Sequence, residues 1–400
     1  MNDARPLARF GPVGLIYALI LAMSMQFTAM VPLAPSFADR YDLSKVETGL
    51  LFTVGGFAIV AVALPLGFLT DRVGARTVTI GAAGLLAASA LGQGAADSYA
   101  TLLAARGVFG VGWAAILSAA PAWLADSVKA ERRPAALGAV MPVAGIGGLV
   151  APAASGFLAD RVGLGAPFYV LAGITFSIFV GLLLVSPGRS SRHPRQPLAT
   201  TLRALTRDSL IMGGVVAIGL AGFTESAINL LAPLELKANG SSAGSIGVVI
   251  SIAAAAFIVV GTVVAGAARR MARLPVGGAG AAGIGLAILP MVISTASAAI
   301  VASVVSRTGV SAILYTIAFP LGALGAHRAG LGRGTVNGLL TLASGAANAA
   351  GPLMAGAIAQ ATAVRWASAF LVAVCFAAAV WFVVPRQVAT KDPAPGRSLA

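Results

Sequence analysis

The sequence predicts an all-α integral membrane protein, with twelve transmembrane helices arranged as two six-helix halves repeated in parallel. Three observations carry this. Only 10% of the 400 residues are charged, against about 25% in a soluble domain, so the polar surface that water requires is missing. The apolar residues come in long runs, each near the ~20 residues a helix needs to cross a bilayer. Residues of the fifth run recur in the eleventh at an offset of 200, half the chain.

The runs fall at roughly 12–35, 47–69, 77–95, 99–124, 134–158, 167–186, 209–234, 244–267, 276–297, 298–325, 335–359 and 365–384. The first follows Arg5 and Arg9 and resembles the start of a signal peptide. It continues to Pro35 without a small-residue cleavage site, so it is read as a retained span. Residues 276–326 form one nearly unbroken apolar run. At about 1.5 Å per residue this is too long for a single crossing, and a tight turn near Thr295 to Ala298 is expected. The longest hydrophilic interruption, Ser186 to Asp208, is rich in Arg, Ser and Pro and lies midway. It divides the chain into an N-terminal bundle (1–187), a linker (188–208) and a C-terminal bundle with a short tail (209–400). Trp123 and Tyr99, at span ends, are expected to anchor the chain at the membrane interface.

Twelve spans put both termini on one side. Loops on that side hold 20 of the 27 Lys and Arg residues, the opposite loops hold 5, and Arg106 and Arg307 fall within spans. Cytoplasmic loops carry the excess of basic residues, so both termini are expected in the cytoplasm of a multi-pass cell-membrane protein. The formal net charge of +14 would suggest nucleic acid in a soluble chain; here it is explained by the loops, and no nucleic-acid partner is expected.

The repeat pairs Arg133 with Arg333, Gly138 with Gly338, Gly145 with Gly345, Pro152 with Pro352 and Gly156 with Gly356. Pro32 and Pro233 agree at an offset of 201, as do Arg106 and Arg307 in spans four and ten. Each pair joins equivalent spans of the two halves.

Three motifs sharpen this. Between spans two and three stands Gly67-Phe-Leu69-Thr-Asp71-Arg72-Val-Gly74-Ala-Arg76. The glycines allow a tight turn, the charges can pair across a seam between halves, and an Asp can sit at the positive end of a neighbouring helix. This resembles motif A of the major facilitator superfamily. Arg106-Gly-Val-Phe-Gly110-Val-Gly112-Trp-Ala114 in span four resembles motif B, and Gly138, Gly147, Pro152 and Gly156 in span five match motif C, the antiporter motif, with Ala151 and Ser155 replacing two glycines. The resemblance covers nearly the whole chain, and within the superfamily it points to the 12-span drug–proton antiporters. It implies that Gly67, Asp71, Arg72, Gly74 and Arg76 form a gate latch on the cytoplasmic side, holding the outward-facing state. It also implies that spans one, four, seven and ten line a central path. Polar and aromatic candidates there are Gln26, Thr28, Phe109, Trp113, Asn229, Tyr315 and Phe319. In the second half the loop Gly266-Ala-Ala-Arg269-Arg270 has lost the acid.

Of 13 acids only Glu225 lies well inside a span. A charge at the bilayer centre costs at least ~2.5–3.5 kcal/mol, so such a group faces a cavity or a partner. Counting along the spans puts Glu225, Arg106 and Arg307 at similar depth, about 10–14 Å below the outer boundary. The expected arrangement pairs Glu225 with Arg307 or Arg106 and lets the carboxyl exchange a proton during transport. The favoured function is proton-coupled efflux of a small drug-like or amphipathic molecule by alternating access. The alternative is proton-coupled uptake of a small organic or inorganic anion, since two arginines outweigh one acid.

Other classes fit poorly. The spans contain no His, the single Cys375 has no partner for a disulfide, and no metal-ligand spacing exists, so neither a catalytic site nor a metal or cofactor is expected and the chain is read as no enzyme. Without a Walker A lysine motif the chain cannot itself use ATP. The expected partners are a small-molecule substrate, protons and the lipid bilayer, and the expected state is a monomer.

Overall fold

The computed structural model describes residues 11–185, 208–329 and 333–384. The chain ends and most of the midway linker lie outside the described residues. Twelve long helices follow one another: α1 (Pro12–Tyr41), α2 (Lys45–Val73), α3 (Ala75–Gly94), α4 (Tyr99–Asp126), α5 (Val140–Val162), α6 (Ala166–Leu184), α7 (Ser209–Ala238), α8 (Ala243–Ala265), α9 (Leu274–Ile293), α10 (Ser297–Arg328), α11 (Arg333–Ala361) and α12 (Val364–Val383). Eleven of the helices are long and apolar enough to cross a membrane, and α11 adds a twelfth of 29 residues. No strand occurs among the described residues.

Short polar residues set the helix starts. The first N–H groups of a helix have no partner within it, and a side-chain oxygen just before the first turn supplies one. Ser44 accepts the Glu47 N–H at 3.2 Å while Glu47 Oε2 accepts the Ser44 N–H at 2.9 Å, a reciprocal cap on α2. Ser98 caps α4, Asp208 caps α7 through the Leu210 and Ile211 N–H groups, and Ser242 caps α8. The turn between α9 and α10 runs through Ser294 to Ala296, close to where the length of the apolar run demands one.

The fifth run differs from the single helix that the sequence suggests. A short helix at Arg133–Gly138 stops at Ala139, and α5 starts anew at Val140. Pro142 has no N–H for the Gly138 carbonyl, which weakens the ladder at this point. Trp123 is also placed differently. It is 5% exposed and packs in the core of the first half with Leu124 and Ala119, because its face of α4 turns inward.

The halves share most of their packing, although α7 lies along α10 much more extensively than α1 along α4. In the first, α1 lies on α5, α2 on α4, and α3 on α4 and α6; in the second, α7 lies on α11, α8 on α10, and α9 on α10 and α12. Two seams join the halves, α2 against α11 and α5 against α8. Both are made by glycine. A Cβ on Gly49 would lie 2.8 Å from the Pro352 carbonyl oxygen, and one on Gly56 2.8 Å from the Ala349 Cβ. A Cβ on Gly156 would overlap the Ala243 carbonyl oxygen, and one on Gly247 the Pro152 carbonyl oxygen. Without hydrophobic attraction between helices in lipid, such close backbone contact is the main source of association.

The contacts between halves gather at one end. Thr53 Oγ1 donates to the Ala349 carbonyl at 2.9 Å, Lys45 Nζ to the Ala359 carbonyl at 3.1 Å, and Lys237 pairs with Asp39 at 3.6 Å. All lie toward the face opposite the chain ends, here called the far face. At the other end of the same helices, on the terminal face, Phe68 of α2 is 72% exposed, Met141 of α5 67% and Val263 of α8 75%. The side-chain bonds that cross between the halves thus lie toward the far face.

Replacing Gly247 by Ala should lower the midpoint of thermal unfolding in detergent, since overpacking a tight contact costs about 1–3 kcal/mol. Gly219→Ala, where an added Cβ meets nothing within 4 Å, should leave it unchanged or raise it. Equal midpoints for the two variants would contradict a seam held by backbone contact.

Candidate functional site

Glu225 stands midway along α7 and is partly exposed. Its neighbours Thr224 and Ser226 are buried and return their hydroxyls to the helix, to the Leu220 and Gly222 carbonyls at 2.8 Å each. The carboxylate is thus the polar group that α7 presents away from itself at this level. Tyr315 of α10 donates its hydroxyl to Glu225 Oε2 at 2.8 Å. The Tyr315 ring is fixed in turn by Phe257 of α8, edge to face at 5.7 Å. Residues of three helices of the second half thus form one line of contacts, Phe257 to Tyr315 to Glu225.

The arginines do not form the ion pair that the sequence suggests. Among the described residues no direct ion pair joins Glu225 to either of them. Arg307 of α10 is 1% exposed, and its Nη2 donates to Thr308 Oγ1 at 2.8 Å. Its Nε and Nη1 are buried without a hydrogen-bond partner. It shares the electrostatic neighbourhood of Glu225, Tyr315 and Cys375. Arg106 of α4, also 1% exposed, donates Nε to the Leu51 carbonyl at 2.8 Å and lies over the Phe109 ring at 4.9 Å and the Phe52 ring at 6.0 Å. Aromatic faces attract a desolvated guanidinium, which gives this cation a non-ionic environment. The two repeat-related arginines thus occupy equivalent helices with different partners.

The other candidates divide. Phe109 and Trp113 form a cluster with Phe27, with ring centroids 4.7 Å apart for Phe27 and Trp113 and 5.6 Å for Phe109 and Trp113. Phe109 itself is fully buried. Gln26 is fully buried too and donates to Ser89 Oγ of α3 at 3.1 Å, facing its own bundle. Thr28 returns its hydroxyl to the Ser24 carbonyl at 2.9 Å. Thr28, Asn229 and Phe319 are partly exposed. Phe27 and Phe257 are the residues that sequence reasoning passed over. Phe27 sits between two polar residues that drew attention instead, and Phe257 lies on a helix outside the four expected to line a path.

The gate-like motif ends α2. Gly67 is buried, and Gly74 stops the helix with φ of 92°, its N–H bonded to the Thr70 carbonyl at 3.0 Å. Only glycine adopts this backbone without strain. Arg76 Nη2 donates to the Val185 carbonyl at the end of α6 at 2.7 Å, and Arg72 is exposed. The Asp71 side chain lies outside the described residues. In the fifth run Gly138 meets nothing within 4 Å, while a Cβ on Gly147 would lie 2.9 Å from the Leu21 carbonyl oxygen of α1. Pro152 and Gly156 belong to the α5–α8 seam.

Comparison with known proteins gives these features a family. The pattern of the Major Facilitator Superfamily matches residues 16–332. The human vesicular acetylcholine transporter is 31% identical over 192 residues, 46% of this chain and 36% of that protein. The multidrug resistance protein MdtG of Serratia proteamaculans is 30% identical over 164 residues, 40% of this chain and 39% of that protein. The chain thus spans well under half the length of these curated relatives. In fold it is similar to the crystal structure of a bacterial homolog to the human lysosomal transporter Spinster, in an inward-facing and unoccupied conformation. The TM-score is 0.76 at 16% identity, covering 95% of this chain and 97% of that one. Twelve helices in two halves that share most of their packing, and a match over most of the chain, lead to one conclusion: this protein belongs to the major facilitator superfamily.

Proposed function

We propose that the chain is a proton-coupled exporter of small drug-like or amphipathic molecules, working by alternating access in the cell membrane as a monomer. The observation that carries this is the Glu225–Tyr315 pair. A partly exposed carboxylate, in a span, bonded by a neutral hydroxyl and by no arginine, is free to take up and release a proton as its surroundings open and close. A static salt bridge would instead hold one protonation state. The names of the relatives, a multidrug resistance protein and a vesicular transporter, fit movement of small organic molecules out of the cytoplasm.

The excess of 20 basic residues over 5 argues that the terminal face is cytoplasmic. On that orientation the bonded far face is external and the state described here is inward-facing. The bundles 1–187 and 209–400 would rock about the seams, with 188–208 as their cytoplasmic tether. Uptake of an anion is the weaker reading. It needs a guanidinium on the path, and both arginines are 1% exposed.

Two variants test this in inverted membrane vesicles loaded with acid, using the amphipathic dye ethidium as probe. Glu225→Gln should abolish accumulation driven by the pH gradient while leaving exchange down a dye gradient intact; undiminished accumulation removes the residue from coupling. Tyr315→Phe should reduce gradient-driven accumulation by about tenfold, the effect of losing one hydrogen bond to a charged group. An unchanged rate would show that the hydroxyl serves packing alone.

A further inference from the structure

Residues 67–74 read Gly-Phe-Leu-Thr-Asp-Arg-Val-Gly, and residues 156–163 read Gly-Phe-Leu-Ala-Asp-Arg-Val-Gly. The two octets differ at one position, Thr70 against Ala159. They stand three helices apart, so the first ends α2 on the terminal face and the second ends α5 on the far face. Their backbones agree as well. Gly74 and Gly163 close their helices with φ of 92° and 127°, and each N–H bonds to the carbonyl four residues back, Thr70 and Ala159, at 3.0 Å.

We propose that residues 156–163 are a second, inverted copy of the gating motif, and that Asp160 latches the far face shut as the first copy latches the terminal face. The far-face copy shows its acid at work. Asp160 Oδ2 accepts the N–H of Gly244, the second residue of α8, at 2.8 Å. The first N–H groups of a helix lack internal partners and carry partial positive charge, so a carboxylate there makes a charge-assisted bond. Asp160 belongs to the first half and α8 to the second, so this bond crosses the seam. The glycines make room for it. A Cβ on Gly156 would overlap the Ala243 carbonyl oxygen, and one on Gly244 would lie 2.7 Å from Phe157 and 2.9 Å from Asp160 Oδ2.

The other seam has the equivalent contact with the charge removed. Gln360 Oε1 of α11 accepts the N–H of Val46, the second residue of α2, at 3.1 Å. Positions 160 and 360 are 200 apart, the spacing of the internal repeat. The two seams thus each end in a side chain that accepts from the start of the facing helix, one ionic at Asp160 and one neutral at Gln360, and both copies that keep the acid lie in the first half. When the halves rock, Asp160 must surrender the α8 terminus to water, which sets part of the balance between the two states.

This proposal rests on alternating access, and its test separates the two. The full-length chain is placed in lipid nanodiscs with spin labels at Ala95→Cys and Ala296→Cys, exposed far-face positions on opposite halves; the native Cys375 is buried. Distances between labels report the fraction with the far face open. Asp160→Ala should raise the ratio of open to closed by about tenfold, the factor for losing one charge-assisted hydrogen bond. Asp160→Asn, which keeps an acceptor oxygen, should raise it less. Asp71→Ala should move the ratio the opposite way, which general destabilisation cannot do. Should the alanine variant fail to fold, Asp160→Ser, too short to reach Gly244, replaces it. Two populations that the Asp160 variants leave unmoved, or move in the same direction as Asp71→Ala, overturn the latch alone. One fixed distance in every variant, with ethidium and with a pH gradient, overturns alternating access and the latch together.

Discussion

Hydrocarbon offers no hydrogen bonds, so every polar group along these helices must find its partner inside the chain. Most do so locally. Thr28, Thr79, Thr224 and Ser226 return their hydroxyls to carbonyls of their own helices, and Arg106 places Nε on the Leu51 carbonyl of the next one. The rule makes its exceptions informative. Glu225 is an acid answered by a phenol and not by a base, and Arg307 keeps two buried nitrogens without partners beside it. Burying unsatisfied charge is costly, and a chain that retains such groups at one level of the second half has a use for them.

The same constraint shapes the contact between the halves. Apolar side chains gain little by leaving lipid for one another, so the seams are built from backbone meeting backbone at Gly49, Gly56, Gly156 and Gly247. At these glycines one backbone lies directly against the other. The seams can part without repacking the interior of either bundle. Polar latches at the far ends of the seams, on Asp160, Gln360 and Lys45, and the Lys237–Asp39 pair between α7 and α1 add bonds that water can replace once the face opens. A joint of this kind is strong when closed and costs little structure to open.

Much of the fold was legible because bilayer thickness dictates run length. The helix count, the break between α9 and α10 and the equivalence of the halves all follow from spacing along the chain. Glu225 was legible because it is an acid inside an apolar run. What it touches was not. Helices that are apolar on most of their surface carry little signal of which side faces where, so rotation about their axes is set by packing and not by pattern. Hence the tyrosine hydroxyl in place of an arginine, the unforeseen contact of Phe257, and Trp123 buried in a core where an interfacial anchor was expected. The break at Ala139 was written in Pro142, three residues on, but the surrounding apolar run concealed it.

Coupling is the claim on which the functional reading stands, and proton movement measures it directly. The purified chain is reconstituted in liposomes enclosing a pH-sensitive dye, and an ethidium gradient is imposed with no initial pH difference. Proton-coupled antiport predicts that protons move against the dye flux, with a pH change that grows with the amount transported. Ethidium transport with no accompanying pH change would contradict it.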